Sequence, residues 1–153
     1  MTKKPSATEI FKNACLAWAY GMQFTLSNYP ETKRILLSKS GDIWLKFQSE
    51  TSNIEIQKGS PIEVAKKYVE DCTRAGYNKP EDFKIYGNDE KIEVEIYDCF
   101  YSPICNLLKE KDVPVTCPRT NILEGVIHRG SEKKYISIIK VGKKCCKGTL
   151  FRW

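Results

Sequence analysis

The 153 residues include one histidine, His128. That scarcity excludes the paired-histidine helix of the metalloproteases and any imidazole-rich metal cage. It also leaves a cysteine nucleophile short of its usual base. Cys117 lies eleven residues upstream on the same predicted helix, about 16 Å away along its axis. The two cannot pair directly, and His128 is expected at the surface near the helix end. No glycine-rich phosphate cradle and no nucleophile elbow is present. No apolar run approaches the length of a membrane span, and there is no internal repeat or low-complexity segment. The basic start Met1-Thr-Lys-Lys-Pro-Ser is not followed by an apolar segment with a small-residue cleavage site. It therefore reads as lacking a signal peptide, in a cytosolic protein. Arginine is sparse, five against twenty lysines, which weighs against nucleic-acid work. Cysteine is scarce over residues 1–98, where only Cys15 and Cys72 occur; both fall on apolar helix faces and are expected to be small buried hydrophobes.

What remains is an ordinary globular mixture, 41% apolar and 29% charged, of a size that fits one domain spanning residues 1–153. The net charge of +6 is uneven: residues 1–50 carry +3, residues 51–98 carry −4, and residues 99–153 carry +7. A solvated surface is the default expectation for the basic end, with nucleic acid or an acidic partner as the sharper one.

Ser6-Ala-Thr-Glu9 has capping-box spacing and opens a helix expected to reach about Ser27. Its apolar residues extend nearly all round, which predicts a central helix or one at a dimer interface. Pro30 starts a second helical segment, expected to stop at Gly41, and residues 42–48 read equally as helix or strand. Ser60-Pro61-Ile62-Glu63 is a clear helix start. Residues 83–86 and the strictly alternating Lys91–Tyr97 predict an antiparallel hairpin. Two short helices, near residues 103–111 and from Cys117-Pro118 to Gly130, lead to a second hairpin around Gly142. The sum is an α+β chain: N-terminal helices (1–59) packed on an antiparallel sheet, then a cysteine-rich half (60–153) with two hairpins and two short helices.

Sulfur is concentrated in that second half, at Cys99, Cys105, Cys117, Cys145 and Cys146. Several of these sit where a strand or turn meets a helix start, and thiolates that converge there would make a soft-metal site. Zinc is the first expectation and an iron–sulfur cluster the alternative; the spacing matches no compact ribbon or ferredoxin pattern. In a reducing cytosol, and with seven cysteines, a complete disulfide framework is disfavoured. Adjacent Cys145 and Cys146 on a strand must point to opposite faces, so only one can join the site. Asp98, Asp112 and Glu124 are the nearest carboxylates in sequence. Large apolar residues of the first helices, Trp18, Met22, Phe24, Trp44 and Phe47, are candidate lining for an apolar ligand pocket.

The run Cys117-Pro-Arg-Thr-Asn-Ile-Leu-Glu-Gly125 and the turn Gly142-Lys-Lys-Cys145 before the last strand resemble the 4-vinyl reductase-like domain family. Its fold is shared with haem-nitric-oxide sensors and transport-complex subunits. The resemblance is best over residues 60–153. It implies a small-molecule-binding or sensory regulatory domain that takes a hydrocarbon-like ligand, more a binder than an enzyme; the apolar N-terminal helices add the expectation of a homodimer. In one branch a Glu-x-x-Cys just before the final turn supplies two zinc ligands. Here Glu132-Lys-Lys-Tyr135 has no cysteine, and Cys99 and Cys105 would take the vacant places. A second resemblance, to 2-aminothiazoline-4-carboxylate hydrolases, implies instead a cysteine- or metal-dependent hydrolase. A third expectation is nucleic-acid binding by the last hairpin with Tyr135, Phe151, Arg152 and Trp153.

Overall fold

The computed structural model describes residues 5–153; the basic start at residues 1–4 lies outside them. Among the described residues there are five helices and four strands: α1 (Ala7–Thr25), α2 (Pro30–Ser52), α3 (Pro61–Arg74), β1 (Phe83–Gly87), β2 (Lys91–Tyr97), α4 (Ser102–Glu110), α5 (Pro118–Ser131), β3 (Tyr135–Lys140) and β4 (Cys145–Arg152). The class is α+β. The strands form one antiparallel sheet in the order β1-β2-β4-β3, so the two hairpins meet along β2 and β4.

Local chemistry explains the helix starts. Ser6 and Ser60 form capping boxes with Glu9 and Glu63, and α2 to α5 each carry proline in the first turn, where a missing N–H costs nothing. The hairpin turns depend on glycine. Gly87 has φ +103°, and a Cβ there would strike the carbonyl of Lys91; at Gly142 it would strike that of Cys145. Asn88 completes the first turn by accepting from the amides of Glu90 and Lys91.

One face of the sheet is dry. Ile92, Val94 and Ile96 of β2, with Cys146 and Leu150 of β4, are buried beneath α3 and α5. Helix α5 adds Leu123, Val126 and Ile127, none more than 1% exposed, each contributing about 1.5–3 kcal/mol by burial. Helix α2 packs on the outer side of α5, and α1 on α4.

Two expectations change. Gly41 does not stop the second helix: it is buried against Ile122 of α5, on the stripe Leu37, Gly41, Leu45 that carries α2 unbroken to Ser52. Residues 42–48 are therefore helix. Nor is α1 central. Only Leu16, Ala19 and Gln23 are buried in it, Cys15, Tyr20 and Met22 are half-buried, and Ile10, Phe11, Trp18 and Phe24 face outward. No helix of the described residues is long and apolar enough to cross a membrane.

Close packing of α5 on α3 leaves no room at Gly130, where a Cβ would lie 2.5 Å from Val64 Cγ1 and 2.8 Å from the Gln57 carbonyl oxygen. Gly130→Ala should lower stability by about 1–3 kcal/mol. Gly21, within α1, has nothing within 4 Å of that position, and Gly21→Ala should raise it by about 0.5–1 kcal/mol. Urea unfolding of both variants reads the two signs.

Candidate functional site

Four elements deliver a buried thiol to one end of the sheet's dry face. Cys99 follows β2 after Asp98, which turns the chain with φ +42°, and its carbonyl accepts the Ser102 amide at the start of α4. Cys105 lies on the inner face of α4 beside Ile104 and Leu108. Cys117 is the N-cap of α5. Cys146 stands opposite Ile96 on β4 and points inward. All four are buried, and all seven cysteines are free. Strand alternation decides between the adjacent pair. Cys145, opposite Tyr97, lies half-buried on the other face of the sheet, away from the four.

The buried sulfurs act on one another electrostatically. Burial pushes the Cys105 thiol far above its usual range, and Cys117, Cys99 and Cys146 push it further. Burial raises Cys117 to about 11, with Cys99 adding to the rise and the Thr120 and Arg119 amides opposing it. Cys99 is raised by burial first, against the pull of the Arg119 guanidinium. Thiols held neutral this way are poor nucleophiles at neutral pH. They are a soft donor set suited to zinc or another thiophilic ion. Among the described residues no group of three His, Cys, Asp or Glu side chains is arranged to hold a metal ion.

Two buried polar side chains hold the segment that leads into Cys117. Lys33 of α2 donates from Nζ to the Pro114 carbonyl at 2.8 Å, and Gln23 Oε1 of α1 accepts the Thr116 amide at 3.0 Å. A third, Gln48, accepts the Tyr68 hydroxyl at 2.7 Å and donates to Cys72 Sγ at 3.5 Å. Sequence reasoning passed over these residues. The available signal was spacing: Lys33 and Gln48 stand at the two ends of the buried stripe Leu37, Gly41, Leu45.

The other face of β2 and β4 is wet and charged. Lys147 pairs with Glu95 at 2.9 Å and the Tyr97 hydroxyl donates to Glu95 at 2.7 Å. With the Tyr86 hydroxyl they hold the Glu95 carboxyl at about 2, against an ordinary 4.5. Cys145 belongs to this ladder.

The proposed pocket residues are dispersed. Trp18, Phe24, Trp44 and Phe47 are exposed and Met22 is half-buried. Trp44 stacks on Phe47 and meets Tyr77 edge-on. None of the five lines the open groove of about 840 Å³ that Ile43, Leu45, Ile54 and Ile56 form with the Asp42–Arg129 ion pair. Of the residues named for nucleic acid, Tyr135 is 3% exposed and donates its hydroxyl to the Asp89 carbonyl, because its ring is needed in the core. Arg152 pairs with Glu90 at 2.6 Å, while Phe151 and Trp153 are exposed. His128 is exposed in the last turn of α5. Glu124 is engaged by Arg34 and the Ser137 amide; Asp98 and Asp112 are exposed.

Because Glu95 has a folded pKa below its unfolded one, its contribution is complete above about pH 4.5 and is lost as pH falls toward 2. Glu95→Gln should therefore narrow the stability gap to wild type progressively through that window, as read by thermal melts at stepped pH. In comparisons with known proteins, no protein-family model and no curated protein matches the chain.

Proposed function

We propose that the chain is a non-catalytic, small-molecule-binding or sensory regulatory domain whose C-terminal half is pinned by Cys99, Cys105, Cys117 and Cys146 around one soft divalent ion, zinc first. One observation carries this reading: four free, buried thiols from four separate segments lie within reach of one another's charge. When bound, zinc would supply a closed tetrahedral link at about 2.3 Å per sulfur and no reaction chemistry. The hydrolase reading is weaker because burial keeps the Cys99, Cys105 and Cys117 thiols protonated, and His128, the one histidine, is exposed in the last turn of α5.

The second copy of the chain would dock on the N-terminal helices. Phe11 is 71% and Trp18 66% exposed on α1, with Ile10 and Phe24 also outward. Aromatic side chains of this size carry about 150–250 Å² each, so these four present several hundred square ångströms of apolar surface. That is a large share of the roughly 800 Å² per partner of a standard interface. Homodimerisation through α1 would cover it.

Protein purified anaerobically should carry one zinc per chain by elemental analysis. Cys99→Ser, Cys105→Ser, Cys117→Ser and Cys146→Ser should each reduce that occupancy, while Cys145→Ser leaves it intact. Absence of any metal from protein with seven titratable thiols removes the reading. For the dimer, Trp18→Asp should halve the mass measured by light scattering; a wild-type monomer at high micromolar concentration excludes it.

A further inference from the structure

Arg119 is the exception among the five arginines. Arg34 pairs with Glu124, Arg74 with Asp71, Arg129 with Asp42 and Arg152 with Glu90. Among the described residues Arg119 pairs with no carboxylate, and its Nη1 is buried with no hydrogen-bond partner. Its guanidinium lies 5.1 Å from the centre of the Phe83 ring, in the second position of α5 and two residues past Cys117. A stacked ring satisfies the cation's face but not its in-plane N–H groups. A buried guanidinium nitrogen left bare is costly and calls for an anion.

The groups around it that could become anionic are sulfurs and one phenol. Its charge reaches Cys99, Cys72 and Tyr101. Cys72 is already engaged by Gln48. The four thiols of the candidate centre, once deprotonated around a divalent cation, leave a net charge of about −2 by the formal charges of four thiolates and one dication. That charge would be buried, next to the one guanidinium without a counterion.

We propose that Arg119 is the built-in counter-charge of the thiolate centre: a positioning residue that offsets the excess negative charge of the metal-bound sulfurs and directs its free N–H groups toward Cys99. The inference rests on the four-sulfur metal reading above and adds to it the residue that makes such a site affordable in a dry interior. Partners of this outer kind commonly set metal affinity within about 10–100-fold.

The test is Arg119→Met against Arg119→Lys and wild type, each stripped of metal under reducing conditions and titrated with Zn²⁺ in competition with a chromophoric chelator. Arg119→Met should bind Zn²⁺ about 10–100-fold more weakly at unchanged stoichiometry, and Arg119→Lys should recover most of the loss. Thermal melts supply a second readout. The metal-free Arg119→Met chain should melt at or above the metal-free wild type, since a buried, unpartnered guanidinium nitrogen has been removed, yet gain less on adding Zn²⁺. A merely structural arginine would lower both melting points together. If wild type binds Zn²⁺ and Arg119→Met binds it within twofold, the counter-charge role is overturned and the metal site stands. If reduced wild type binds no Zn²⁺ at all, both fall. Should Arg119→Met fail to fold, the lysine variant decides: a Zn²⁺ affinity near wild type supports the role, and a loss as large as that expected for methionine overturns it.

Discussion

Dehydration of α5 is the constraint from which the remaining geometry follows. Its apolar side chains are sealed between the sheet on one side and α2 and α3 on the other, and their burial outweighs any single polar contact in the molecule. With α5 seated, its first residue places Cys117 at the end of the sheet where β2 finishes and β4 begins. The helix has no freedom to slide: Gly130 touches Val64 at one end, and the Thr120 hydroxyl contacts Ser137 of β3 near the other. The sulfur cluster is a consequence of that seating as much as of cysteine placement.

The two faces of β4 separate two chemistries one residue apart. Inward, Cys146 sits in a low-dielectric space where its neighbours are other sulfurs. Outward, Cys145 joins tyrosine, glutamate and lysine side chains under water. Charge along the chain is distributed accordingly. The excess of basic residues in the last third is partly offset by carboxylates of β2 and of the turn before it, through Lys147 with Glu95 and Arg152 with Glu90. The basic hairpin is therefore less of an electrostatic beacon than its composition implies.

Much of the architecture was legible in the residue order. Serine–proline and cysteine–proline starts marked α3 and α5, strict alternation marked β2, and the glycine turns marked both hairpins. Strand periodicity also required that Cys145 and Cys146 diverge. The extent of α2 was not legible, because a glycine within a helix costs only about 1 kcal/mol relative to alanine, and packing on α5 overrides that preference. The exposure of α1 was equally hidden: an all-round apolar helix has the same pattern whether it is covered by its own chain or awaits another surface. Buried Gln23, Lys33 and Gln48, and half-buried Arg119 with its covered Nη1, escaped notice because a polar residue carries no mark of burial until its partner, or its lack of one, is placed in space.

The sheet order has a kinetic corollary. Each hairpin closes across only a few residues, so both pairs of strands can form within microseconds once their turns are set. The seam joining them is different: β2 and β4 pair residues roughly fifty positions apart, and closing that loop incurs its entropy before any ladder bond repays it. The four sulfurs sit around that seam, two on the strands or just beyond them and two on the helices threaded between. The cysteine neighbourhood therefore cannot form within either hairpin alone and depends on the docking of the two.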